Sequence, residues 1–348
     1  MNVAFDRLLE NPLQASAAPL DQRGRPLRDL RVSVIETCNF RCPYCMPQDL
    51  TLEHTPRDAS GRLSFAEIET LVRAFVRVGV SKVRLTGGEP LLRRNLHELV
   101  ARLAAIPGVE DLALTTNGSL LAGKAESLRA AGLHRLTVSV DALDPGIFRA
   151  LSGGRGEIGD VLEGLRAAEA AGFQSIKINT VVQRGVNEDQ VLPLARHFRG
   201  SRHVLRFIEY MDVGTCNGWR PEAVVSSREL HAMISAEWPL RAVSPAYRGE
   251  VAARHSFEDG GGEIGFVSSV SEPFCGDCHR ARLSADGKLF TCLFASTGND
   301  LRPALAKGEY SLVEQVRSLW GDRSDRYSEL RRGIGRETRK IEMFYIGG

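Results

Sequence analysis

The chain has 348 residues, 43% of them hydrophobic, with a formal net charge of +2 and a pI near 8.2. That length allows about two domains or one large barrel, and the charge is too mild to argue for nucleic acid or a membrane surface. No apolar run of ~18 residues marks a membrane span, and Met1 to Leu20 lacks the apolar stretch of a signal peptide. Seven cysteines, an odd number thinly spread, do not make a disulfide framework. A reducing, cytoplasmic setting is expected.

Residues 1–28 read as an irregular lead-in with one short helix near Phe5 to Leu9. An apolar strand, Leu30 to Glu36, runs into Cys38-Asn39-Phe40-Arg41-Cys42-Pro43-Tyr44-Cys45. Beyond a polar loop from Gln48 to Gly61, Ser64 and Glu67 have capping-box spacing. The apolar stripe from Phe65 to Val76 predicts a helix that Gly79 ends. Strands are expected at Lys82 to Thr86, Asp111 to Thr116, Arg135 to Val140, Ser175 to Val182 and Val204 to Tyr210. Helices are expected between them, at Asn95 to Ala105, Leu121 to Ala131, Ile158 to Ala171 and Asn187 to Phe198. After Met211 the rhythm breaks. A helix at Ser227 to Glu237 is followed by extended pieces at Arg241 to Pro245, Glu250 to Arg254, Glu263 to Ser268, Ala281 to Ser284 and Lys288 to Phe294. Two helices close the chain, Leu301 to Lys307 and Ser311 to Leu319.

Six apolar strands alternating with helices imply a parallel α/β sheet with right-handed crossovers. Periodicity alone does not choose between an open doubly wound sheet and a partial (β/α) barrel. In either, ligands lie at the C-terminal strand ends, where the cysteine triplet falls. Three thiolates suit a four-iron cluster with one iron left open better than they suit zinc, which takes four closed ligands in structural sites. The C-x3-C-x2-C spacing resembles the signature of the radical S-adenosylmethionine (SAM) superfamily. Thr86-Gly87-Gly88-Glu89-Pro90 resembles its GGEP motif, where two glycines let backbone approach a ligand closely. Asn117-Gly118, Ser139-Val140-Asp141, Lys177-Ile178-Asn179 and Glu209-Tyr210-Met211 place further polar groups at or near the strand ends.

A second triplet, Cys275, Cys278 and Cys292, has C-x2-C-x13-C spacing. It reads as a second cluster with three protein ligands; zinc, with His279 or Cys216 as a fourth ligand, is the competing reading. Arg280 and Arg282 alternate on one strand face and suit an anionic, phosphorylated ligand.

Together with the terminal Gly347-Gly348, these motifs resemble the molybdenum cofactor biosynthesis protein A family, the GTP 3′,8-cyclases, over nearly all of Leu30 to Gly348. The resemblance implies a partial (β/α)6-type TIM barrel over residues 29–215. It also implies an α+β region over 216–348 that carries the second cluster. Two [4Fe-4S] clusters and SAM follow as cofactors: Cys38, Cys42 and Cys45 on the SAM-cleaving cluster, and Cys275, Cys278 and Cys292 on a cluster that faces the substrate. Tyr44, Gly88, Ser139 and Met211 match SAM-contacting positions. Arg31, Arg84, Thr115, Lys177, Arg280, Ala281 and Arg282 match GTP-contacting ones. Arg280, Arg282, Gly347 and Gly348 are the implied catalytic positions. The implied reaction abstracts hydrogen from C3′ of GTP and closes a C3′–C8 bond, giving (8S)-3′,8-cyclo-7,8-dihydroguanosine 5′-triphosphate. The implied partners are GTP, an electron donor and a downstream cyclic pyranopterin monophosphate synthase, with no nucleic acid or membrane and with homodimerisation left open. A peptide-modifying radical SAM enzyme, a non-catalytic iron–sulfur carrier and a zinc-stabilised module are the alternatives.

Overall fold

A computed structural model describes residues 18–46, 61–215, 217–331 and 340–347. The expected helix near Phe5, most of the loop after Gln48, Cys216 and Gly348 lie outside the described residues.

Strand β1 (Asp29–Ser33) is followed by α1 (Phe65–Arg77), β2 (Lys82–Thr86), α2 (Leu96–Ala104), β3 (Asp111–Thr116), α3 (Ala125–Ala130) and β4 (Arg135–Ser139). Next come α4 (Pro145–Leu151), α5 (Ile158–Ala170), β5 (Lys177–Val182), α6 (Val191–Phe198) and β6 (Val204–Glu209). The C-terminal part adds α7 (Ser227–Glu237), β7 (Leu240–Val243), β8 (Ala253–Phe257), β9 (Glu263–Val267), β10 (Arg280–Leu283), β11 (Lys288–Phe290) and β12 (Asn299–Asp300). It ends in α8 (Arg302–Lys307), α9 (Glu309–Gly321), α10 (Tyr327–Leu330) and α11 (Met343–Ile346).

The Ser64–Glu67 capping box forms as its spacing predicts. Helix α4 is absent from the sequence reading, although Asp144 caps it at the Ile147 N–H and Pro145 opens its first turn. Strand β8 lies three residues beyond its expected place. Its pairing is set by the hairpin with β9, which the Asp259–Gly262 turn closes.

One sheet holds all twelve strands, in the order β12-β11-β10-β1-β2-β3-β4-β5-β6-β9-β8-β7. Its centre is parallel and wider than the expected six strands, because β10 joins β1 and β9 joins β6 in the same direction. The late strands therefore flank the early ones on both sides, and only the outermost strands are antiparallel. Among the described residues the two ends of the sheet do not pair with each other, yet residues of β10 and of β9 line the same cavity. The sheet is thus curved into an open, partial barrel, which settles the choice that periodicity left open. Alternate residues such as Leu30, Val32, Val83 and Leu85 face outward and are fully buried beneath the helices. Helices α8 and α9 pack over α1 from outside.

Candidate active site at the open face of the barrel

The inward residues of the strands are polar, and parallel register sets them in rows. Arg282, Arg31 and Arg84 are neighbours across β10, β1 and β2. Thr115, Thr137 and Lys177 are neighbours across β3, β4 and β5. All six line a cavity of about 350 Å³, together with Arg206 and Arg280. Arg84 donates to the hydroxyls of Thr115 and Thr137 at 3.1 and 3.0 Å. Arg206 donates to Asn179. Among the described residues, none of Arg31, Arg84, Lys177, Arg206, Arg280 and Arg282 is paired with a carboxylate. The Arg31 Nε is buried with no partner at all.

Crowding of like charges has a cost here. Burial, then Arg282, Arg280 and Arg84, hold the Arg31 guanidinium well below its usual range. Burial, with Arg206 and other cations nearby, brings Lys177 down to about 7. Such a set is stabilised by an anion of several charges.

Both thiol triplets open on this same cavity. None of the six thiols is in a disulfide. The Phe40 N–H points at the Cys38 sulfur and the Phe294 N–H at the Cys292 sulfur, both at 3.4 Å. Burial pushes the Cys38 and Cys292 thiols up to about 11 and raises Cys42 further. Cys278 behaves differently. Burial raises it too, but Arg280 and Arg323 outweigh that and bring it to about 6. Thiols that face a cavity, with N–H and guanidinium donors aimed at their sulfurs, suit the donor set of an iron–sulfur cluster. His279 does not line the cavity. Among the described residues no three His, Cys, Asp or Glu side chains converge on a single ion, and Cys216 lies outside them.

At the first triplet, the Tyr44 hydroxyl donates to Asp141 at 2.5 Å. Gly88, Ser139 and Met211 line the same cavity. The two glycines turn out to serve the chain itself as well as any ligand. A Cβ on Gly87 would sit 2.2 Å from the Ile35 carbonyl oxygen, and one on Gly88 would sit 2.1 Å from that of Thr37. The turn after β2 is thereby pressed against the approach to Cys38. Glu89, fully buried and pushed by burial up to about 7, receives N–H groups from Leu91 and Asn117 and the hydroxyl of Thr116.

Three residues singled out in the sequence lie elsewhere. Ala281 turns its methyl into the hydrophobic core, away from the cavity. Glu209, also buried, does not line the cavity; it receives the N–H groups of Ser227, Val270 and Ser271 and so fastens the C-terminal segments to β6. Gly347 is outside the lining, but its carbonyl accepts from Arg282, and its positive φ and tight approach to Thr86 leave no room for a side chain. Sequence reasoning missed Arg206, Arg25 and Arg323, which all line the cavity. Arg206 had a signal: it is the one charged inward position of Val204-Leu205-Arg206-Phe207-Ile208.

A partial barrel with a three-cysteine loop beyond its first strand defines the radical SAM class, and the model for the Radical SAM superfamily matches residues 32–198. The model for Molybdenum Cofactor Synthesis C matches residues 203–329. The chain is 66% identical to a GTP 3′,8-cyclase of Xanthomonas axonopodis pv. citri, over 95% of this chain and 99% of that one. It is 49% identical to one of Acidothermus cellulolyticus, over 94% and 98%. Among solved structures, Streptococcus suis SuiB bound to S-adenosylmethionine shares the fold at 14% identity, with a TM-score of 0.62 over 90% of this chain and 76% of that one. The chain belongs to the GTP 3′,8-cyclase family. Membership of the superfamily implies a four-iron cluster and SAM. No helix among the described residues is long and apolar enough to cross a membrane.

Proposed function

We propose that the chain converts GTP to (8S)-3′,8-cyclo-7,8-dihydroguanosine 5′-triphosphate, the first committed chemistry of molybdenum cofactor biosynthesis. One observation carries this reading: both cysteine triplets and the unpaired cations open on a single cavity. Bound at the first triplet, a four-iron cluster with SAM would supply the radical chemistry that removal of the C3′ hydrogen requires.

The chain's own residues bind, orient and exclude water. Cys38, Cys42 and Cys45 hold the SAM cluster, and Tyr44, Gly88, Ser139 and Met211 bound the SAM pocket. Cys275, Cys278 and Cys292 would hold a second cluster on the substrate side of the cavity. Arg31, Arg84, Lys177, Arg206, Arg280 and Arg282 neutralise the triphosphate, with Thr115 and Thr137 fixing the Arg84 fork. Gly347, held by Arg282, brings the C-terminal tail to the cavity wall. Residues 29–215 carry the SAM half of the site and 216–348 the second triplet. A reductant must supply electrons, and a cyclic pyranopterin monophosphate synthase consumes the product.

The likeness to SuiB is one of fold alone, so it does not favour a peptide substrate. Anaerobic reconstitution tests the cofactor part. About eight irons and eight sulfides per chain are expected for two cubes, whereas about four irons with one zinc would remove the second cluster. Incubation of the reduced protein with SAM and GTP tests the rest, and absence of any cyclised nucleotide would overturn the reading.

A further inference from the structure

The end of the lead-in and the turn after α9 meet behind the second cysteine triplet. Asp21, Arg25 and Arg323 are 5%, 2% and 4% exposed there, a burial that charged side chains rarely reach unless paired. Asp21 accepts from Arg25 Nε at 2.6 Å and from Arg323 Nη1 at 3.1 Å. Each arginine then reaches the triplet. Arg25 Nη1 donates to the Cys275 carbonyl at 2.6 Å. Arg323 Nη1 donates to the Cys278 carbonyl at 2.7 Å, and its Nη2 points at the Cys278 sulfur at 3.3 Å. Arg323 Nε donates to the carbonyl of Thr291, the residue before Cys292, at 3.1 Å. The Arg323 guanidinium also stacks on Trp320, whose indole N–H donates to the Arg25 carbonyl. Both segments that carry the triplet are thus tied to one buried Asp21–Arg25–Arg323 group, whose Arg323 Nε also meets the half-buried Asp325 carboxylate at 3.3 Å.

We propose that Arg323, set in place by Asp21 and Arg25, is a positioning residue for the group bound at Cys275, Cys278 and Cys292, holding the three thiols in a preformed array and raising the reduction potential of that group. The inference rests on the reading of this triplet as a cluster site. A donor to a ligating sulfur withdraws electron density, and a nearby positive charge favours the reduced, more negative state. Both effects move the midpoint in the same direction. The Asp21–Arg25 pair keeps the guanidinium aimed at the sulfur, since Asp21 neutralises one of two adjacent cations that would otherwise repel each other.

The test is redox titration of the reconstituted protein without GTP, followed by EPR, together with iron content, for wild type, Arg323→Gln, Arg323→Lys and Asp21→Asn. Arg323→Gln is expected to shift the midpoint of the second cluster to more negative potential, or to lose about half the iron while SAM cleavage by the first cluster persists. Arg323→Lys keeps the charge without the fork and is expected to shift it less. Asp21→Asn removes the carboxylate held to both arginines; the lost negative charge favours a higher midpoint while the lost positioning is expected to lower the iron content of the second cluster. Arg323→Gln and Arg323→Lys that both keep full iron at the wild-type midpoint would overturn the proposal. A wild type that holds only about four irons would instead overturn the second-cluster reading.

Discussion

Lys177 shows how a single residue converts crowding into binding. Its ammonium faces Arg206, Arg135, Lys82 and Arg84, and burial with these cations lowers it to about 7. A bound triphosphate favours the charged form and so raises that value. The sign follows: the lysine's contribution to GTP affinity is full below pH 7 and is lost as pH rises through 7 towards the value in the complex. Affinity measured by calorimetry should therefore fall with pH more steeply in wild type than in Lys177→Met. At pH 6.5 Lys177→Met should bind GTP about tenfold or more weakly, the range of one charge-assisted hydrogen bond. Parallel pH profiles for the two proteins would show that Lys177 does not touch the anion. Arg282→Ala should weaken GTP binding as well, and it also frees the Gly347 carbonyl. Much of this was legible in the sequence, because charged residues inside apolar strands stand out. Arg25 and Arg323 were not legible, since they sit outside the strands and only the fold brings them to the cysteines.

Among the elements, the turn after β2 matters as a spacer. The Gly88 N–H donates to Ile35 O at 2.7 Å and the Glu89 N–H to Thr37 O at 2.8 Å, a contact with no space for a Cβ. Gly88→Ala must push the turn off the approach to Cys38. It should cost about 1–3 kcal/mol of stability, the usual range for overpacking. It should also reduce iron loading at the first triplet more than at the second, read from iron content and EPR; a variant with wild-type stability and loading would show that the contact yields easily. The glycine pair was visible in the sequence, but its physical reason was not, since the atoms it avoids are backbone carbonyls of the segment that follows β1. Helix α4 was similarly hidden. Its cap, Asp144-Pro145, is local and plain in retrospect, while its seven residues carry too little apolar periodicity to announce a helix.

At the scale of the whole molecule, the sheet decides where the chemistry is. The strand–helix alternation gave six parallel strands, and the sequence offered no means of seeing that β9 and β10 extend them on opposite sides, because strand order is a long-range property. That addition makes one cavity out of two distant motifs. It seats Cys278 and Arg280 beside Asp29 at the start of β1, while Cys38 lies beyond the end of the same strand. The central claim is that a substrate held between the two triplets presents its C3′ hydrogen to the radical made at the first. GTP deuterated at C3′, given to the reduced and reconstituted protein with SAM, tests this most directly. The expected result is 5′-deoxyadenosine carrying one deuterium, formed together with cyclised nucleotide and only when GTP is present. Unlabelled 5′-deoxyadenosine, or its release at the same rate without GTP, would contradict the account.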